Sequence, residues 1–250
     1  MKQGIRRWKS RVMVGLLVAA AVLAVLPLFL ILGTLIVKGA GSINWAFFTR
    51  MPVPAGENGG GVAHAITGTL LIVGTACLIG LPIGVGAGIY AAEWPGAPLA
   101  KATRFIADVL NGTPSIVIGV FAWTWIVARQ KHFSGLAGSA ALAVLMIPMV
   151  MRTTEEMIKL VPHSLREAAL ALGYPRWRTS LGVVVRTCLP GIVTGALLAI
   201  ARVAGETAPL LFTALGSQYL SSNLQQPMAA LPLVVFTYAT GPYDEWHRLA

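Results

Sequence analysis

From Val12 to Val37 the chain runs 26 residues without a charge. About 20 apolar residues suffice for a helix to cross the hydrocarbon core of a bilayer, so this run is a span, and others follow. Ala65 to Ala92, Val109 to Ala128 and Phe133 to Met151 are likewise free of Asp, Glu, Lys and Arg. A fifth apolar block extends from about Val183 to Leu215, with Arg202 and Glu206 inside it. The whole chain is 56% hydrophobic and only 11% charged, where a soluble domain carries about 25% charged residues. The expected fold class is all-α: a polytopic membrane helical bundle with five visible spans.

Five basic residues (Lys2, Arg6, Arg7, Lys9, Arg11) precede the first span in a segment taken as residues 1–11. The apolar run is longer than the ~7–15 residues of a secretory signal, which makes it an uncleaved span. With the N-terminus cytoplasmic, the inner segments also hold Lys101, Arg104, Arg152, Lys159, Arg166, Arg176, Arg178 and Arg186, five plus eight making thirteen. The outer segments hold five: Lys38, Arg50, Arg129, Lys131 and Arg248. The positive-inside rule therefore orients the chain N-terminus in, as a multi-pass membrane protein in contact with lipid. It also accounts for the net charge of +10 without nucleic acid, since the charges are scattered over short loops. Cys77 and Cys188 are far apart, and the four histidines sit in separate loops. No metal site, no other cofactor and no catalytic constellation is expected. The Gly59–Gly61 run lacks the Gly-Lys-Ser/Thr ending of a phosphate-cradling loop. Any ATP hydrolysis must come from a separate subunit, and the chain itself is read as non-catalytic.

Gly80, Gly84 and Gly88 recur every four residues in the second span, a spacing that lets another helix approach closely; Gly is also simply common in such helices. A polar segment from about 152 to 187 separates the fourth and fifth spans. Its first part continues the fourth span's helix to Val161, and Pro162 breaks it. Ser164 and Glu167 then have capping-box spacing, the new helix stops at Gly173, and another begins near Trp177. Met228 to Ala239 is apolar but too short to cross, so it is expected against the bundle or re-entering partway. Asn111, Thr113 and Ser115, with Asp108 one turn earlier, are read first as helix caps; the alternative is that they line the inner mouth of a pathway.

Glu167-Ala168-Ala169-x-x-x-Gly173 resembles the EAA loop of ABC importer permeases, and it lies in the loop where that family carries it. The resemblance implies that this loop couples to the ATPase, with the permease domain covering residues 12–250. Pro190 falls later after Gly173 than is usual in the family. Three further segments narrow the resemblance: Arg152-Thr153-Thr154-Glu155-Glu156-Met157, Asn111-Gly112-Thr113-Pro114-Ser115, and Arg202-Val203-Ala204-Gly205-Glu206-Thr207-Ala208-Pro209. Together they are similar to the PstA-type permeases of bacterial phosphate importers. That implies translocation of inorganic phosphate beside a homologous second permease, two ATPase subunits and an extracytoplasmic phosphate-binding protein. It also implies a sixth span, expected beyond Ala250. Two alternatives are kept: a permease for another anion such as sulfate or molybdate, and a stand-alone channel or secondary transporter. Against the second of these, no half of the chain repeats the other.

Charges inside a span cost about 2.5–3.5 kcal/mol each on lenient scales, so Arg202 and Glu206 call for a function. Read as one helix, their i, i+4 spacing lets them pair. Arg202 is expected in the substrate pathway, with Glu206 holding it, the Thr207 hydroxyl nearby and Arg152 as a second positive charge; the alternative is a buried structural ion pair that locks two spans together.

Overall fold

A computed structural model of the chain describes residues 2–54 and 59–250. Their regular structure is helical, apart from one isolated bridge between Leu215 and Met228. The helices are α1 (Lys2–Gly39), α2 (Trp45–Thr49), α3 (Ala63–Glu93), α4 (Pro98–Gly112) and α5 (Ser115–Gln130), then α6 (Gly135–Lys159) and α7 (His163–Ala171). They continue with α8 (Arg176–Ala204), α9 (Ala208–Thr213), α10 (Leu231–Thr240) and α11 (Asp244–Leu249). Helices α1, α3, α6 and α8 are long and apolar enough to cross a membrane. The pair α4 and α5, bent by 105°, lies where the third span was expected and raises the count to five if it is taken as one span.

Two of the expected boundaries are corrected. The third span does not begin at Val109: the residue before a proline is pushed out of the helical region, and Thr113, ahead of Pro114, lies at φ −83°, ψ 130°. Helix α4 therefore ends at Gly112 and α5 starts afresh at Ser115. The fifth span does not reach Leu215 either. It stops at Ala204, with Gly205 as its cap, and Pro209 opens the separate α9.

The glycine face of α3 is a packing face. Gly80, Gly84 and Gly88 are buried against α6. A Cβ on Gly84 would lie 2.8 Å from Val150 Cβ, and one on Gly88 2.6 Å from both Met151 O and Thr154 Cβ. The registers rise together (Gly84 on Val150, Gly88 on Thr154), so α3 and α6 run parallel. Helix α8 runs antiparallel on another side of α6, with Gly195 on Thr153 and Gly191 on Met157. Ile72, Leu142, Met146, Val150, Val203 and Leu210 form the core between these helices. Helix α6 is thus central, and its end bearing Arg152 and Lys159 is here called the basic end.

At the other end Ser134 caps α6, accepting from Ala137 N at 3.2 Å. Helix α10 is seated on α3, where Leu231 N donates to Thr69 Oγ1 at 2.8 Å. Its ten residues span about 15 Å at 1.5 Å per residue, too short to cross, as expected. Helix α1 stands apart: none of its apolar window is buried by the rest of the chain.

This packing predicts opposite outcomes at neighbouring glycines. Gly88→Ala must push backbone and should destabilise the fold by about 1–3 kcal/mol. Gly86→Ala, with nothing within 4 Å of its Cβ, should leave the fold as stable or stabilise it by up to about 1 kcal/mol. Thermal unfolding of the detergent-solubilised protein separates the two.

Candidate anion pathway and coupling element

The two helix breaks meet. A cavity of about 280 Å³ is lined by Asn111, Thr113 and Ser115 from the α4–α5 corner, by Leu145 and Met149 of α6, and by Arg202 and Glu206 from the end of α8. Leu145 and Met149 lie three to seven residues before Arg152, which sets the cavity about 5–10 Å inside the basic end of α6 at helical rise. At that depth non-helical backbone is tolerated only where protein buries it or a polar cavity receives it. The first turn of α5 supplies donors: Val117 N bonds Pro114 O at 3.0 Å, which leaves the N–H groups of Ser115 and Ile116 without a helical acceptor. The positive end of the α5 dipole and the Arg202 guanidinium thus border one space.

This geometry bears on four expectations. Asn111, Thr113 and Ser115 are not N-caps: Pro114 occupies that position of α5, and the Thr113 hydroxyl donates back to Val109 O at 2.7 Å. Arg202 and Glu206 do not pair. The helix that would have put them on one face ends at Ala204, and Gly205 N turns back to Arg202 O at 3.2 Å. Among the described residues Arg202 has no salt bridge, and its side chain is exposed in the single chain. Thr207 takes the N-cap position of α9 and stands outside the cavity wall. Arg152 is not an isolated charge: its guanidinium pairs with Asp108 of α4 and, at 3.2 Å, with Glu155.

Glu155 is the centre of that cluster. Its side chain is 1% exposed, and its oxygens accept from Arg104 Nε at 2.7 Å, Lys159 Nζ at 2.6 Å and Arg152 Nη1 at 3.2 Å. Sequence reasoning missed Glu155 and Arg104 as partners because they lie 51 residues apart.

The other predicted element, Glu167 to Gly173, is helix α7 and its stop. Glu167 and Ala168 are exposed, while Ala169 is buried. Gly173 adopts φ +83°, the left-handed conformation that glycine takes most cheaply. Tyr174 N bonds Ala169 O at 3.2 Å and Gly173 N bonds Leu170 O at 2.9 Å, the paired bonds of a Schellman stop. The expected capping box is absent: Pro162 holds the N-cap position, so Ser164 falls within the first turn. Leu170, Leu172 and Trp177 stand exposed around the stop. The element is tied down by Glu93, the last residue of α3, which takes Arg166 of α7 on one oxygen and Ser180 Oγ of α8 at 2.7 Å on the other. The sequence signal for Glu93 was a lone acid closing an apolar span.

Residues 84–241 match the family model of the binding-protein-dependent transport system inner membrane component. Over 250 residues the chain is 49% identical to a phosphate transport system permease protein PstA of Yersinia pestis, covering 100% of this chain and 85% of the relative. The PstA of Haemophilus influenzae is 46% identical, covering 98% of this chain and 87% of that one. The chain belongs to the PstA family. It is accordingly an ABC importer permease subunit by family and a multi-pass inner-membrane protein. A chain of the MetNI methionine ABC transporter, solved inward-facing, has the same fold: TM-score 0.56 at 21% identity, over 75% of this chain and 82% of that one.

Cutting the Glu93 tie should loosen α7 and the start of α8. Glu93→Ala removes a charged hydrogen-bond acceptor, a loss of about 1.5–3 kcal/mol, and should speed amide hydrogen exchange across His163–Ala171 while α6 stays protected. Hydrogen-exchange mass spectrometry reads both.

Proposed function

We propose that this chain conducts inorganic phosphate into the cell as one permease of an ATP-driven importer, and that the anion passes through the cavity at the two helix breaks. The observation that carries this is Arg202, which has no salt bridge among the described residues and lines a cavity that Ser115, the first residue of α5, also lines. A guanidinium and backbone donors together suit a tetrahedral oxyanion. The names of the relatives supply phosphate as the cargo.

A charged side chain within a span does not face lipid without cost, and Arg202 is exposed in the single chain. A homologous second permease covering this face would close the cavity between the two chains. The distribution of basic residues supports an N-terminus in the cytoplasm, which puts α7 there too. Its exposed Glu167–Ala168 face and the apolar residues near Gly173 suit docking to one of two ATPase subunits. The opposite end would then meet an extracytoplasmic phosphate-binding protein.

Glu206 gives a chemical reason for phosphate over sulfate. A carboxylate in the cavity accepts a hydrogen bond from the hydroxyl of a protonated phosphate, whereas sulfate, fully ionised near neutral pH, offers it none. It also opposes too tight a grip by Arg202.

Arg202→Gln should lower phosphate uptake by roughly 10- to 100-fold, the weight of a hydrogen bond to a charged group, in a complex that assembles at normal yield. Glu206→Gln should let sulfate compete for uptake when the binding protein is bypassed. Full uptake by assembled Arg202→Gln would rule out the cavity as the path, and unchanged sulfate exclusion would remove Glu206 from selectivity.

A further inference from the structure

Helix α4 carries one wall of the cavity, yet it is weakly packed. Its own buried apolar residues are the alanines Ala100 and Ala107, packed on Ala91 and Met151 with Tyr90 at the edge, and two alanine side chains bury little area. What fixes its seat is charge. Arg104 spends its guanidinium on three elements: Nε on Glu155 of α6 at 2.7 Å, Nη2 on Ala91 O near the end of α3 at 2.5 Å, and Nη1 on Pro95 O in the α3–α4 connection at 3.1 Å. One turn further along α4, Asp108 takes Arg152 of α6, and one turn beyond that is Asn111 in the cavity wall.

Both supports of Arg104 lead to α7. Helix α6 runs through Lys159 into the Pro162 turn that starts α7, and α3 ends at Glu93, which holds Arg166 of α7. The two routes from the docking element converge on a single side chain. A seat made of alanines and ion pairs can exchange partners without repacking a core, whereas close-packed apolar cores resist such movement.

We propose that Arg104, held by Glu155, is the positioning residue that carries movement of the α7 element to the Asn111–Ser115 wall of the cavity. Neither residue touches the anion; each acts through the placement of α4. The inference rests on the proposed function, in which α7 docks an ATPase and the cavity passes phosphate.

The test uses the complete importer with its binding protein in proteoliposomes, measuring ATP hydrolysed and phosphate imported per assembled complex. Glu155→Gln keeps the shape and removes the charge. Arg104→Lys keeps a charge but gives up the three-way fork. In each, ATP hydrolysis should persist while phosphate imported per ATP falls about tenfold, an ordinary size for a coupling between sites. Lys101→Gln, at an exposed α4 residue with no ion pair among the described residues, should match the wild type. A purely structural role lowers the yield of complexes and leaves the ratio for each one unchanged; an unchanged ratio in assembled variants overturns the proposal. If Glu155→Gln does not assemble, Arg104→Lys decides by the same ratio. A wild-type complex that imports no phosphate on hydrolysing ATP would instead contradict the underlying function, so the two failures are distinguishable.

Discussion

The structure hangs on the close approach of α3 to α6. Side chains on Gly84 or Gly88 would overlap Val150, Met151 or Thr154, so the absence of Cβ atoms is what lets α6 sit at the centre. In a bilayer, apolar surface alone gives helices little reason to associate, and close van der Waals contact takes over. Once α6 is placed, α8 lies along another side of it, α4 is pinned to its basic end, and the two helix breaks are brought to one level. The polar cavity is therefore a consequence of packing among residues that have no polar chemistry of their own.

Two kinds of interaction divide the molecule. Between the breaks and the far end, the bundle is held by apolar contact around Met146, Val150 and Val203. Toward the basic end it is held by charge: Glu155 with its three cations, Asp108 with Arg152, and Glu93 with Arg166. Removing the buried Glu155 would leave its three cations uncompensated, which costs far more than an exposed pair such as that of Asp108 is worth. The charged end is where α7 attaches and where the cavity floor lies, so the part of the fold suited to rearrangement is also the part between them.

Much of this was legible beforehand. Long charge-free runs can do little else than span, and the four-residue glycine spacing pointed to a packing face, though nothing in the sequence named α6 as its partner. Two of the departures share a cause: a helix that stops inside an apolar run. Thr113-Pro114 and Gly205 followed by Pro209 are written breaks, and apolar content on both sides hid them. With the break at Gly205 recognised, the i, i+4 pairing of Arg202 with Glu206 falls away, and the guanidinium is left exposed. The capping box at Ser164 failed because Pro162 starts the helix earlier. Glu155 with Arg104, and Glu93 with Arg166, join residues 51 and 73 positions apart, a distance that no local pattern spans.

The central claim is that phosphate passes the corner where α5 begins. The most direct measurement is thiol labelling of Ser115→Cys in the assembled importer under turnover, with Cys77 and Cys188 replaced by alanine. If phosphate passes there, it should slow labelling at position 115 in proportion to its transport, while chloride at equal ionic strength should not. Labelling unaffected by phosphate, in a complex that still imports it, would place the path elsewhere.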